Sequence, residues 1–186
     1  MLQFETSLVI FSGPPFAGKS TLSRELARLS NFMHLDCDDY RLAIVGHDHF
    51  LPEEQEAAVM VESYRRMHVD GLKLISSHLP VSIAATYWRP LYKPLLVDLL
   101  AQLTAPIRIF ELRVDDSLIG ERVRQRALEG DPSEIKSVEQ YFAIKSNIEP
   151  IAFQGKIIVD TAKSLADTMA EVLSHLGKLR NYNRIA

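Results

Sequence analysis

With 186 residues, 47% of them hydrophobic, the chain is long enough to enclose one substantial core, and one domain spanning residues 1–186 is the expectation. Its 24 acidic and 21 basic residues are interspersed and sum to −3, which argues against the broad basic footprint of a chain that binds nucleic acid or an anionic membrane by charge. A lone cysteine, Cys37, excludes an intrachain disulfide. With no basic leader and no apolar run of roughly 20 residues, the expectation is a cytoplasmic chain with no membrane partner.

In chain order, residues 7–12 form a Val/Ile-containing apolar run that ends at Gly13-Pro14-Pro15, as a buried parallel strand entering a turn does. A helix is predicted over about residues 19–29, where Leu22, Leu26 and Leu29 share a face. Residues 32–35 read as a second strand, followed by a short helix from about Asp39 and a long helical region from Pro52 to about Leu79, despite Gly71. Residues 81–86 make a third strand, 91–103 a helix and 107–114 a fourth strand. Asp115 or Asp116 can cap the next helix, which carries Arg122, Arg124 and Arg126. A turn at Gly130-Asp131-Pro132 separates it from a helix over about 133–148, and a fifth strand over 156–159 precedes a closing helix over about 165–176. Strands alternating with helices imply an α/β fold, a three-layer α/β/α arrangement around a five-stranded parallel sheet.

Gly13-Pro14-Pro15-Phe16-Ala17-Gly18-Lys19-Ser20 satisfies G-x-x-x-x-G-K-[ST] between a predicted strand and a predicted helix, the context that the P-loop NTPase fold requires. Residues Gly13 to Thr21 are therefore expected to bind ATP. Loop N–H groups and the helix N-terminus would surround the phosphates, Lys19 would reach the β/γ oxygens, and the Ser20 hydroxyl would hold Mg²⁺. The alternative is a Gly/Pro turn that caps an amphipathic helix, with Lys19 solvated.

After the second strand, Asp36-Cys37-Asp38-Asp39-Tyr40-Arg41 sets carboxylates at a strand's carboxyl end, where open α/β sheets bind ligands. A carboxylate there can take a proton from a substrate hydroxyl, and a nearby arginine can steady phosphate charge. Asp38 can equally cap the short helix, with Asp36 and Asp39 as turn residues. Asp36 is also a candidate for contacting Mg²⁺ through water, and Cys37 reads as a small strand-end residue because nothing visible would activate it as a nucleophile. Arg122 and Arg126, four apart, share a helix face, whereas Arg124 points elsewhere by spacing.

The P-loop, Asp38-x-x-Arg41 and the Arg122/Arg126 pair together resemble the P-loop kinases of the AAA-type ATP-binding group. That group includes phage-type polynucleotide 5′-hydroxyl kinases and gluconate-kinase-like, chloramphenicol-phosphotransferase-like and zeta-toxin-like proteins. The resemblance implies an ATP-dependent kinase with Asp38 as general base and Arg41 at the substrate or phosphate site. It also implies a small helical lid over about 120–150, whose Arg122 and Arg126 close over the triphosphate. By the same resemblance, Val159-Asp160-Thr161-Ala162 would lie beside adenine, although helix capping by Asp160 or Ser164 explains these residues as well.

The pattern is broken in one place. These families end the third strand in an Asp, where this chain has Ala84, so that Thr86 or the acidic cluster would have to compensate. Tyr87, Trp88 and Arg89 are either part of an acceptor pocket or a packing corner. His47-Asp48-His49 lacks metal-ligand spacing, and the remaining histidines read as structural or solvated. Three functions follow as expectations. The first is a kinase for a small-molecule hydroxyl acceptor, the second a polynucleotide 5′-hydroxyl kinase, disfavoured by the acidic balance, and the third a non-catalytic ATP-binding regulator, suggested by Ala84. The acceptor and the oligomeric state are not written in these motifs.

Overall fold

A computed structural model describes residues 4–46, 51–128, 135 and 137–177. His47-Asp48-His49, the Gly130-Asp131-Pro132 turn and the predicted helix start at Ser133 lie outside the described residues. The strands are β1 (Leu8–Ser12), β2 (Met33–Asp36), β3 (Val81–Ala84), β4 (Ile107–Arg113) and β5 (Ile157–Asp160). They form one sheet in the order β2-β3-β1-β4-β5, with every neighbouring pair parallel. The helices are α1 (Lys19–Leu29), α2 (Cys37–Val45), α3 (Glu53–Ser76), α4 (Lys93–Ala101), α5 (Ile119–Leu128), α6 (Val138–Lys145) and α7 (Leu165–His175).

Because β1 is central, it is covered on both faces, and its continuous run of buried Leu, Val, Ile and Phe follows from that position. Its odd and even residues serve different layers. Val9 and Phe11 pack with Leu22 and Leu26 of α1, with Phe110 and Leu112 of β4, and with Met169 and Val172 of α7. Leu8 and Ile10 pack on the other side with Ile83, Tyr64 and Met67 of α3, and Leu96 and Leu99 of α4. Each fully buried Leu or Ile contributes roughly 1.5–3 kcal/mol, so the two faces together hold the three layers. Gly71 does not interrupt α3, which runs from Glu53 to Ser76 and packs this position toward Leu35, Ile83 and Val81 of the sheet.

Element ends differ from the sequence expectation where side chains decide them. The predicted start of α2 near Asp39 moves back to Cys37, because the Asp36 carboxylate accepts the Asp38 backbone N–H at 3.1 Å and opens the helix earlier. Asp115 caps a 3₁₀ turn, Asp116–Leu118, that leads into α5. A Ser137/Gln140 capping box starts α6 at Val138. In the second half of β4, Glu111 is fully buried against Lys156 and Arg113, whose Nη2 lies 3.0 Å from it.

Candidate functional site

The carboxyl end of β1 runs straight into the Gly13–Ser20 loop. A Cβ on Gly13 would come within 2.6 Å of the Leu112 carbonyl oxygen, so only glycine lets the chain leave the sheet beside β4 here. Gly18 is left-handed, at φ 84°, and takes the N-cap position of α1 without offering a side chain to cap it. The first turn of α1 contains no acidic residue either, in contrast to α2, which Asp36 caps and Asp38 and Asp39 flank. The N–H groups at the start of α1 thus face the loop cradle without a side-chain acceptor, which suits an anion.

Lys19 folds into this cradle, its Nζ donating to the Pro14 carbonyl at 2.9 Å. Burial lowers its pKa to about 8, opposed by the nearby carboxylates of Asp38 and Asp36 and reinforced by Arg126. Residues from three separate regions therefore meet electrostatically at one ammonium. On the β3 side, Thr86 Oγ1 donates to the Gly13 carbonyl at 3.1 Å, and the Thr86 carbonyl accepts from Tyr64 Oη at 2.6 Å. Thr86 is thus a tie between the end of β3 and the loop.

Asp36 registers directly with Ala84 on β3. Ser82, two residues earlier, bonds Ser23 of α1 at 2.7 Å, so this is the sheet face under α1. Asp36 also meets Arg24 of α1 at 3.7 Å, and it is buried. A carboxylate thus stands one strand away from the position where the expected acid is missing. Of the two roles considered for Asp38, the capping one falls to Asp36; Asp38 itself is exposed. Donor atoms of His34, Asp36 and Asp39 lie within 4.8 Å of one another; His34 Nε2 faces Asp36 Oδ2 at 3.8 Å, while Nδ1 is 2.6 Å from Ser23 Oγ. Cys37 is buried, and burial raises its thiol pKa well above the usual value, in keeping with an inert residue.

Arg41 makes a two-pronged ion pair with Glu56 of α3, Nε to Oε1 at 2.6 Å and Nη2 to Oε2 at 2.8 Å. Glu56 carries no motif, and only the packing of α2 on α3 exposes it as a partner. Tyr87 is fully buried with its hydroxyl 2.7 Å from His68 Nε2, and Trp88 is buried beside it. These two belong to a packing corner, whereas Arg89 is exposed and acts on the Tyr92 hydroxyl.

Arg122 and Arg126 both reach the phosphate loop, by different means. Arg122 Nη1 donates to the Phe16 carbonyl at 2.7 Å and to Thr161 Oγ1 at 3.2 Å, and Nη2 donates to the Thr161 carbonyl. Arg126 lies over the Phe16 ring, 4.7 Å from its centroid. Arg124 instead bonds back to the Gly120 carbonyl, away from the loop, as its spacing implied. A cavity of 330 Å³ opens beside the loop, lined among others by Gly18, Thr21, Arg122, Arg126, Thr161 and Lys163. Of the two expected caps Ser164 caps α7, accepting from the Asp167 N–H, while Asp160 accepts from the Ala162 N–H in the turn after β5, and Thr161 and Lys163 line the cavity. The Phe16 side chain and Lys163 were missed by the motif reading, which treats loop positions as backbone only.

No helix among the described residues is long and apolar enough to cross a membrane. Comparison with curated proteins returns no match. Among solved structures, a kinase candidate from Chloroflexus aurantiacus j-10-fl superposes with a TM-score of 0.71 at 18% identity, over 92% of this chain and 99% of that one. A gluconokinase from Sinorhizobium meliloti 1021 gives 0.60 at 16%, covering 92% and 91%. The APS kinase of Mycobacterium tuberculosis, in complex with AMPPNP and APS, gives 0.61 at 15%, covering 92% and 98%. At such identities the likeness speaks for the fold. An AAA domain family model matches residues 8–151, which span β1 through α6 and include the phosphate loop, the acidic strand end and the arginine helix. The protein belongs to the AAA domain family, with the fold of the P-loop kinases.

Proposed function

We propose that the protein is an ATP-dependent kinase that transfers the γ-phosphate to a hydroxyl of a small-molecule acceptor. The observation that carries this reading is the meeting at Lys19 of an uncapped helix N-terminus, the Asp38 and Asp36 carboxylates and Arg126. Loop residues Gly13, Pro14, Pro15, Phe16, Ala17, Gly18, Lys19, Ser20 and Thr21 hold the nucleotide in this reading, with its base directed to the cavity that Thr161 and Lys163 line. One domain carries the whole site, and α5 and α6 act as its lid.

Asp38 accepts the acceptor's hydroxyl proton as the new O–P bond forms and the bond from the γ-phosphorus to the bridging oxygen breaks, releasing ADP. Lys19 and Arg126 offset charge on the transferred group. Arg122 holds the loop and the segment after β5 together around it, and Arg41, fixed by Glu56, borders the acceptor side. The donor chemistry fits Mg²⁺. The Ser20 hydroxyl in the first turn of α1 would hold it, with Asp36 contributing through water from beside Ala84, and the ion would supply charge neutralisation on the β- and γ-phosphates. A second reading, an ATP-binding regulator without turnover, draws support from Ala84 in the place of an acidic strand end.

The test is ADP release from MgATP against a panel of sugars, sugar acids, nucleosides, phenicol-like alcohols and a 5′-hydroxyl oligonucleotide. Acceptor-dependent turnover is expected, and Asp38→Asn should lower it by about 100-fold or more while leaving nucleotide affinity within about threefold. Transfer that survives in Asp38→Asn overturns the base assignment. Tight ATP binding with no turnover on any acceptor favours the regulator, and a net response to the oligonucleotide alone moves the acceptor to nucleic acid.

A further inference from the structure

Phe16 is the residue of the phosphate loop whose conformation and chemistry disagree. Its φ is 61°, the left-handed region that glycine enters freely and that a bulky side chain occupies under strain. Such strain persists where the surroundings over-determine it, and it concentrates at functional sites. Here the surroundings are visible. The ring is 2% exposed and packs with Ile119 and Val123 of α5 and, edge-on at 6.2 Å, with Tyr141 of α6. Arg126 lies 4.7 Å over the same ring, while the Phe16 carbonyl accepts from Arg122 at 2.7 Å. One strained loop residue thereby engages two of the three arginines of α5, Arg126 through its ring and Arg122 through its main chain.

We propose that Phe16 is a positioning residue, whose ring orients Arg126 toward the triphosphate and couples the phosphate loop to α5 and α6. This rests on reading the loop as a triphosphate site. A glycine at position 16 would relax the backbone, but it would leave the Arg126 guanidinium without its aromatic face and the Ile119/Val123/Tyr141 cluster without its centre. The strain is retained because the side chain has a task that the bare loop cannot perform.

The prediction is a loss of discrimination between nucleotides rather than a loss of binding. Calorimetry with MgAMPPNP and with MgADP on Phe16→Leu should show the preference for the triphosphate falling about 3- to 10-fold, the scale of one cation–π contact, with MgADP affinity little changed. Arg126→Ala should cause a fall at least as large, since it removes the charge as well as the contact, and the double variant should lose no more than Arg126→Ala alone, because the ring acts through that arginine. Phe16→Tyr, which keeps the aromatic face, should retain the wild-type ratio. Thermal melting checks that each variant folds, and Phe16→Met stands in if Phe16→Leu does not. An unchanged ratio in Phe16→Leu, equal weakening of both nucleotides, or additive losses in the double variant overturn the inference and leave nucleotide binding intact. A wild-type protein that binds both nucleotides equally does the same. If the wild-type protein binds neither, the triphosphate reading fails and this inference fails with it.

Discussion

Beneath α1 and α7, strands β1, β4 and β5 present Val9, Phe11, Phe110, Leu112 and Val159, a layer with no hydrogen-bonding side chain among them. Beneath α3 and α4, the same sheet is lined by Leu8, Ile10 and Ile83 together with Cys37, Tyr64, Tyr87, Trp88 and Tyr92, and His68 bonds Tyr87 behind them. The first layer has to hold α1 at the right height for the loop, which apolar packing over β1, β4 and β5 achieves together with the Ser23–Ser82 hydrogen bond at β3. The second has to aim the ends of β2 and β3, and direction needs hydrogen bonds such as Tyr64 Oη to the Thr86 carbonyl. Packing sets distance beneath β1, β4 and β5 and polar contacts set direction beneath α3 and α4, so Phe11 and His68 should respond differently to truncation and to pH.

The largest expected effect tests the apolar face. Phe11 is fully buried and stacks on Phe110 with centroids 5.5 Å apart, so Phe11→Ala should cost about 3–5 kcal/mol in urea unfolding. That cost should be the same at pH 5 and pH 8, and a cost that varies with pH would break the contrast between the faces.

The next effect tests the polar face by titration. Burial holds the His68 pKa down to about 4, against 6.5 for a free imidazole. Between those values the unfolded chain binds the proton and the folded one does not, so stability is fully present above pH 6.5 and drains away as pH falls toward 4. The loss should reach about 3 kcal/mol across that window, and His68→Gln should flatten the slope. An unaltered slope would mean that His68 is not the titrating group.

The smallest effect lies where the two faces meet, at Lys19. Its pKa of about 8 in the free protein should rise when phosphate charge arrives, because the anion favours the ammonium. Affinity for MgADP is then flat below pH 8 and falls above it, by up to about tenfold per pH unit, with proton uptake on binding. Calorimetry in buffers of different ionisation enthalpy at pH 8.5 reads that proton directly. Absence of uptake would place Lys19 away from the phosphates.

Much of the fold was legible because its signals are local. Apolar runs of strand length, the Leu22/Leu26 face of α1 and the Gly13–Ser20 pattern each depend on neighbours within a few residues, and the helix predicted over about 19–29 is α1. Element ends were less legible, since Asp36, Asp38 and Asp39 all suit a cap and only the backbone path after β2 assigns the role to Asp36. The site was legible as a set of residue types but not as partnerships. Arg41 with Glu56 spans 15 residues, and Arg122 with Phe16 spans 106, separations at which no spacing rule operates.

By itself the sequence determined the alternation of strands and helices, the phosphate loop between β1 and α1, and the charge-bearing residues available at the strand ends. Those follow from backbone preferences and the period of apolar residues, which act along the chain. Tertiary structure alone decided that Asp36 stands beside Ala84, that Thr86 ties β3 to the loop, and that Phe16 turns its ring into α5 and α6. Register between strands and the meeting of distant side chains depend on how the whole core closes, and a core closes in space, with no trace in local spacing.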